Sequence, residues 1–231
     1  VKRLSSTRCL AAIPAVFALS CLAHIAWGDE TEGEKLRLSN PFFAFDNGTG
    51  RGQLAPEEQA RMLADLGYAG IGYTGTAGIP EMLNALDKHD LQMFSIYVGA
   101  VLGPDGPSCD PGLKQAVQDL KGRDTVIWLT IRGTAADADQ QAVRVAREVA
   151  DLAGQSGLRV ALYPHYGFYV DRVETAVGVA EKADRDNLGA SFNLCHFLRV
   201  GDARNLDQRL RQAMPHMMLV SINGTDHDGN W

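Results

Sequence analysis

From residue 42 onward, short apolar runs alternate with stretches in which apolar residues recur every three or four positions. The first kind predicts strands at Phe42–Asp46, Ala69–Tyr73, Gln92–Val98, Thr125–Ile131, Arg159–Pro164, Gly189–Leu194 and Met217–Ile222. Most of these runs are continuously apolar rather than alternating, the pattern of strands covered on both faces in a parallel sheet. The second kind predicts helices. Pro56 followed by Glu57 and Glu58 opens one, with negative charge at the positive end of the helix dipole, and Gly67 closes it behind Met62, Leu63 and Leu66. Pro80–His89, Asp137–Ala153, Val170–Ala183 and Asp202–Ala213 complete the set. No linker interrupts the alternation after residue 40, so residues 41–231 read as a single α/β domain.

Two architectures use such an alternation. A doubly wound sheet carries a glycine-rich phosphate fingerprint after its first strand. Here that strand runs into Asn47-Gly48-Thr49-Gly50-Arg51-Gly52, whose spacing is wrong and which does not open directly into a helix. The alternative is a (β/α)8 TIM barrel, of which this chain supplies seven strands, with the eighth unit missing. Unpaired edges on the first and seventh strands then invite a homodimer.

The first 40 residues follow another pattern. Lys2, Arg3 and Arg8 precede an apolar run from Leu10 to Leu22, and Ala26-Trp27-Gly28 offers small residues before Asp29 and Glu30. Residues 1–28 therefore read as a secretory signal peptide, with an uncleaved anchor as the alternative, and residues 29–40 as a flexible leader. Val1 fits a non-standard initiator read literally, a bacterial habit. The expectation is a protein exported to the periplasm or medium, with no membrane association after cleavage.

Composition narrows the function. There are 22 Lys and Arg against 28 Asp and Glu, a formal charge of −6. Removing residues 1–28 takes away three basic residues and no acidic one, which makes the remainder more acidic still. Such a surface does not suit nucleic acid, whose binding depends on cations that displace counterions. Cys109 and Cys195 are the cysteines left after residue 28; they allow one disulfide or two free thiols, and no cysteine-based zinc motif.

Four stretches carry a resemblance. Leu66-Gly67-Tyr68-Ala69-Gly70-Ile71-Gly72, Tyr163-Pro164-His165-Tyr166-Gly167, Asn193-Leu194-Cys195-His196 and Ser221-Ile222-Asn223-Gly224-Thr225-Asp226 resemble strand entries and strand ends of the xylose-isomerase-like TIM barrels. That superfamily comprises sugar and sugar-phosphate isomerases and epimerases. The resemblance implies a small carbohydrate as partner and a divalent metal, Mn, Zn, Co or Mg, that holds its oxygens while a base removes a proton next to a carbonyl.

In a barrel, site residues project from the C-terminal strand ends. This places His165 and His196 as candidate catalytic residues and Asn47, Tyr73, Arg132 and Asp226 as candidate substrate-binding residues. Asn193, His196 and Asn223 are the candidate metal ligands. The family pattern has a Glu after strand five, Asp-x-x-His after strand six and a Glu on strand eight. Here the first is Tyr163-Pro164-His165, the second is Asn193-x-x-His196, and the third has no counterpart. Two functions follow from these residues: a sugar isomerase- or epimerase-like enzyme, or a carbohydrate-binding barrel that has lost its acidic ligands.

Overall fold

The computed structural model describes residues 39–201 and 203–223. The predicted signal peptide and most of the predicted leader therefore lie outside the described residues, as does Asp226. Seven parallel strands form one curved sheet: β1 (Ala44–Phe45), β2 (Gly70–Thr74), β3 (Gln92–Leu102), β5 (Val126–Gly133), β6 (Arg159–Leu162), β7 (Leu188–Asn193) and β8 (Met217–Ser221). They pair in that order, and a two-residue strand, β4 (Ser108–Cys109), adds antiparallel to β3. Among the described residues β1 and β8 do not pair, so the sheet is a TIM-like half-barrel of seven parallel strands with an open seam.

Helices α1 (Pro56–Asp65), α2 (Ile79–Lys88), α3 (Leu113–Asp119), α4 (Ala138–Gly154), α5 (Val173–Ala183), α6 (Leu194–Val200) and α7 (Leu206–Ala213) lie between the strands. Helix α1 starts as its sequence requires. Pro56 sits in the first turn, the Glu58 carboxylate accepts the Ala55 N–H at 3.1 Å, and Gly67 takes the left-handed conformation behind the helix with φ +77°. None of the helices among the described residues is long and apolar enough to cross a membrane.

Strand side chains divide into two layers. Ile96, Ile127, Leu129, Ile131, Val160 and Leu162 face the helices and join one large core with Leu63, Leu86, Val145 and Val149. Val126, Trp128, Ala161 and Tyr163 face inward and pack with Phe45, Tyr97, Met218 and Leu219. The inner layer is thus aromatic where the outer one is aliphatic.

Several elements differ from expectation. Strand β3 runs four residues past Val98, because Val101 and Leu102 continue the ladder with Arg132 and Gly133 of β5. Helix α5 begins at Val173 rather than Val170, since residues 165–170 form a turn in which Val170 donates to Ile131 O and accepts from His165 N–H. Strand β7 stops at Asn193, whose side chain accepts the His196 N–H and so starts α6. Helix α3, with Leu113, Ala116 and Val117 buried, was not foreseen.

The top of β1 is fastened by one carboxylate. Asp46 is 1% exposed; its Oδ2 accepts the Thr74 N–H at 2.8 Å and its Oδ1 the Thr74 hydroxyl at 2.7 Å. Arg51 Nη1 donates to the same Oδ1 at 3.1 Å. Replacing Asp46 by Ala takes the acceptor from the Thr74 N–H and hydroxyl, while Arg51 keeps the Thr74 hydroxyl and solvent, which costs about 2–3 kcal/mol. Urea unfolding of Asp46→Ala is expected to show that loss; an unchanged midpoint would mean that this clamp does not hold β1.

Candidate active site

The inward layer ends in a cavity of about 400 Å³ at the C-terminal strand ends. Its wall and floor are aromatic. Trp128 and Tyr163 stack with ring centroids 4.1 Å apart, and Tyr97 meets both edge-on at 6.2 and 5.7 Å. Phe45 stands edge-on to Trp128 at 5.6 Å. The indole is fixed by a hydrogen bond from Nε1 to Ser191 Oγ at 2.6 Å, and that hydroxyl donates onward to Leu162 O. A rigid surface of this kind fits the C–H face of a sugar ring.

Two imidazoles lie beside this floor. The rings of His165 and His196 are 4.0 Å apart, and each is within 6 Å of the Tyr163 ring. Phe168 stacks on the other side of His165 at 4.1 Å. His165 Nδ1 lies 2.9 Å from the carbonyl oxygen of Tyr166. A carbonyl only accepts, so Nδ1 carries the hydrogen and the neutral ring keeps its lone pair on Nε2.

Burial favours the neutral form of both rings. His196 is pushed down to about 4, mainly by desolvation, then by His165 and Arg199. His165 is also lowered, again chiefly by desolvation and against the opposing effect of its bond to Tyr166. Burial moves the Tyr163 and Tyr97 hydroxyls upward, so both stay protonated at neutral pH.

Asn193 joins the parts. Its Oδ1 accepts the His196 N–H at 2.9 Å. Its Nδ2 faces the Tyr163 hydroxyl and Ser221 Oγ, each at 3.0 Å, and Asn223 Oδ1 at 3.4 Å. A strand-end Asn that caps a helix is here also the hub between three strands.

Of the candidate residues, the structure brings Asn47, His165, Asn193, His196 and Asn223 to the cavity lining. Tyr73 is not among them. It falls on the helix-facing side of β2, where its ring packs against the aliphatic core and its hydroxyl donates to Ala77 O at 2.7 Å. Arg132 stands exposed at the end of β5, beyond the lining but close to Tyr97. Sequence reasoning passed over Tyr97, Tyr163 and Ser221 as residues of the cavity lining, and Trp128, a buried core residue at 4% exposure, lines it too. The signal was a single aromatic residue inside an aliphatic run, as in Ile96-Tyr97-Val98 and Ile127-Trp128-Leu129.

The donors suit a metal poorly. Among the described residues the cavity lining holds imidazoles and amides and no carboxylate. Among the described residues no group of three His, Cys, Asp or Glu gathers within reach of one ion. Hard dications such as Mg²⁺ and Mn²⁺ require oxygen ligands with charge, and a zinc site requires three or four protein ligands. The described residues do not meet either requirement.

A parallel α/β half-barrel with a site at the C-terminal strand ends defines the class. Residues 60–230 match the model of the xylose isomerase-like TIM barrel family, and the chain belongs to that family. The 3-keto-D-glucoside 4-epimerase of E. coli superposes with a TM-score of 0.61 at 15% identity, over 75% of this chain and 74% of that one. The D-psicose 3-epimerase of Clostridium cellulolyticum H10, solved with D-tagatose, gives 0.61 at 12% identity, over 80% and 73%. The IolI protein with a bound zinc atom gives 0.62 at 15%, over 81% and 74%. Among curated protein sequences none matches this chain.

The depressed pKa of His196 predicts a pH dependence of stability. Above its ordinary value near 6.5 the ring is neutral in both states and contributes nothing. As pH falls from there to about 4, the unfolded chain binds a proton that the folded chain refuses, so stability falls. Urea midpoints measured from pH 7 to pH 4 should drop, and His196→Gln should make the drop shallower. An equal slope in the variant would show that burial does not hold His196 neutral.

Proposed function

We propose that this protein acts on a carbohydrate as an isomerase or epimerase, by proton transfer next to a carbonyl. The observation that carries this reading is the neutral imidazole pair over an aromatic floor at the strand ends. The sugar's C–H face lies on Trp128 and Tyr163. His165 Nε2 takes the proton from the carbon beside the carbonyl, the C–H electron pair moves into the C–C bond, and the carbonyl oxygen becomes an enolate. The nearby neutral groups, the His196 ring and the Tyr163 and Tyr97 hydroxyls, form a set of hydrogen-bond donors for that oxygen. Return of the proton from His165 to the former carbonyl carbon, with the neighbouring hydroxyl passing its own proton to the enolate oxygen, completes an isomerisation; an epimerisation takes the new proton from a second donor on the opposite face, while His165 gives up the abstracted one to solvent. The similarity to epimerases of sugars supports the substrate class. No step here requires a metal; a metal-assisted version would need a carboxylate ligand that the described residues do not supply.

The missing carboxylates support a second reading, a barrel that binds carbohydrate without turnover. In both readings residues 1–28 direct export, on the strength of their basic, apolar and small-residue order.

Proton NMR in D₂O separates the two. Incubation with a panel of ketoses and aldoses is expected to exchange the C–H next to the carbonyl for deuterium. His165→Ala should slow that exchange about 10²–10⁴-fold. Because burial lowers the pKa of the base from its ordinary value, already below 7, the rate should be flat from pH 7 upward. Binding with no exchange for any sugar would favour the second reading; unaltered exchange in His165→Ala would remove His165 as the base.

A further inference from the structure

Among the described residues the cavity lining contains no acidic side chain. A cationic side chain stands at the end of β5. Val126, Trp128, Thr130 and Arg132 alternate along this strand, and Val126 and Trp128 point into the barrel interior. Thr130 is buried and donates to Val98 O at 3.2 Å, so Arg132 is the first residue of that row to reach the mouth. In register it faces Val101 of β3, whose apolar side chain offers it no acceptor.

Several arginines of this acidic protein reach a carboxylate. Arg51, Arg123, Arg159, Arg185, Arg209 and Arg211 each form an ion pair. For Arg132 no hydrogen bond or ion pair to a described residue is formed. The nearby Asp137 is occupied elsewhere, accepting from Gln141 Nε2 at 2.7 Å. The charge of Arg132 reaches into the cavity, where it favours the ionised form of the Tyr97 hydroxyl against the larger effect of burial.

We propose that Arg132 reads an anionic substituent on the carbohydrate, a carboxylate or a phosphate, and so sets the substrate class as acidic rather than neutral sugars. The inference rests on the carbohydrate reading above. The planar guanidinium at the mouth offers a fork of N–H donors to two oxygens of the anion. The ring of the sugar lies inward on Trp128 and Tyr163, and its acidic group points outward to the end of β5. The described lining groups are imidazoles, amides, hydroxyls and apolar rings, none of which repels an anion at pH 7.

The test is a calorimetric titration of the full chain with D-glucose, D-glucuronate and D-glucose 6-phosphate. At least one acidic sugar should bind about tenfold or more tightly than glucose, the size of a charge-assisted hydrogen bond. Preference for glucuronate assigns a carboxylate, and preference for glucose 6-phosphate a phosphate. In Arg132→Met the ratio of acidic to neutral affinity should collapse to about one. Arg132→Lys keeps the charge without the fork and should retain part of the ratio. Glucose binding as tight as both acids, or an undiminished ratio in Arg132→Met, overturns the proposal and leaves the carbohydrate reading standing. Binding of none of the three sugars overturns both.

Discussion

The side-chain amide of Asn193 has to satisfy several strand ends at once. In a parallel barrel the last inward residue of each strand meets the last inward residues of its neighbours, and polar atoms buried there need partners inside the barrel. Asn193 is 3% exposed and faces Tyr163 next to β6, Ser221 at the end of β8 and the first turn of α6. By capping α6 it directs His196 back over the mouth instead of letting the strand carry it past. The turn after β6 brings His165 to the same place, and the two imidazoles meet because both strand ends are held by one residue. Without that hub the aromatic floor would remain, and the pair above it would not.

Strand positions were legible because parallel strands buried on both faces leave long apolar runs, and six of the seven begin and end within a residue or two of expectation. The same burial hid which face each residue takes. Gly72 and Tyr73 stand in one apolar run, and nothing in their neighbourhood tells which of them turns inward; the inward one is Gly72, and Tyr73 packs on the helices. Tyr97 is in the same position on β3 and turns inward. Face is decided by the register in which each strand pairs with its neighbours, which is a property of the strands together. The end of β7 was misplaced for a local reason: Leu194 extends the apolar run, yet Asn193 before it is a strong helix cap.

The candidate site was half legible. His165, Asn193, His196 and Asn223 could be found because they are polar residues directly after apolar strands. The metal expected from the resemblance to sugar isomerases required charged ligands, and the substitutions at those positions are neutral. Neutrality changes the chemistry available. A carboxylate base is strong only when a metal or desolvation tunes it, whereas a neutral imidazole with its Nδ1–H pinned to a carbonyl presents a lone pair at neutral pH without further help. The aromatic floor, Trp128 with its indole N–H fixed by Ser191, then supplies orientation, and the guanidinium at the end of β5 supplies charge.

The account depends on both imidazoles being neutral when the protein works. The direct measurement is the ¹⁵N NMR titration of the full chain labelled in histidine, with His165→Gln and His196→Gln to assign the two rings. Both rings should be neutral at pH 7, with His165 protonated on Nδ1 and His196 taking up its proton only near pH 4. An imidazolium signal from either residue at pH 7 would contradict the account, because the base would then be occupied.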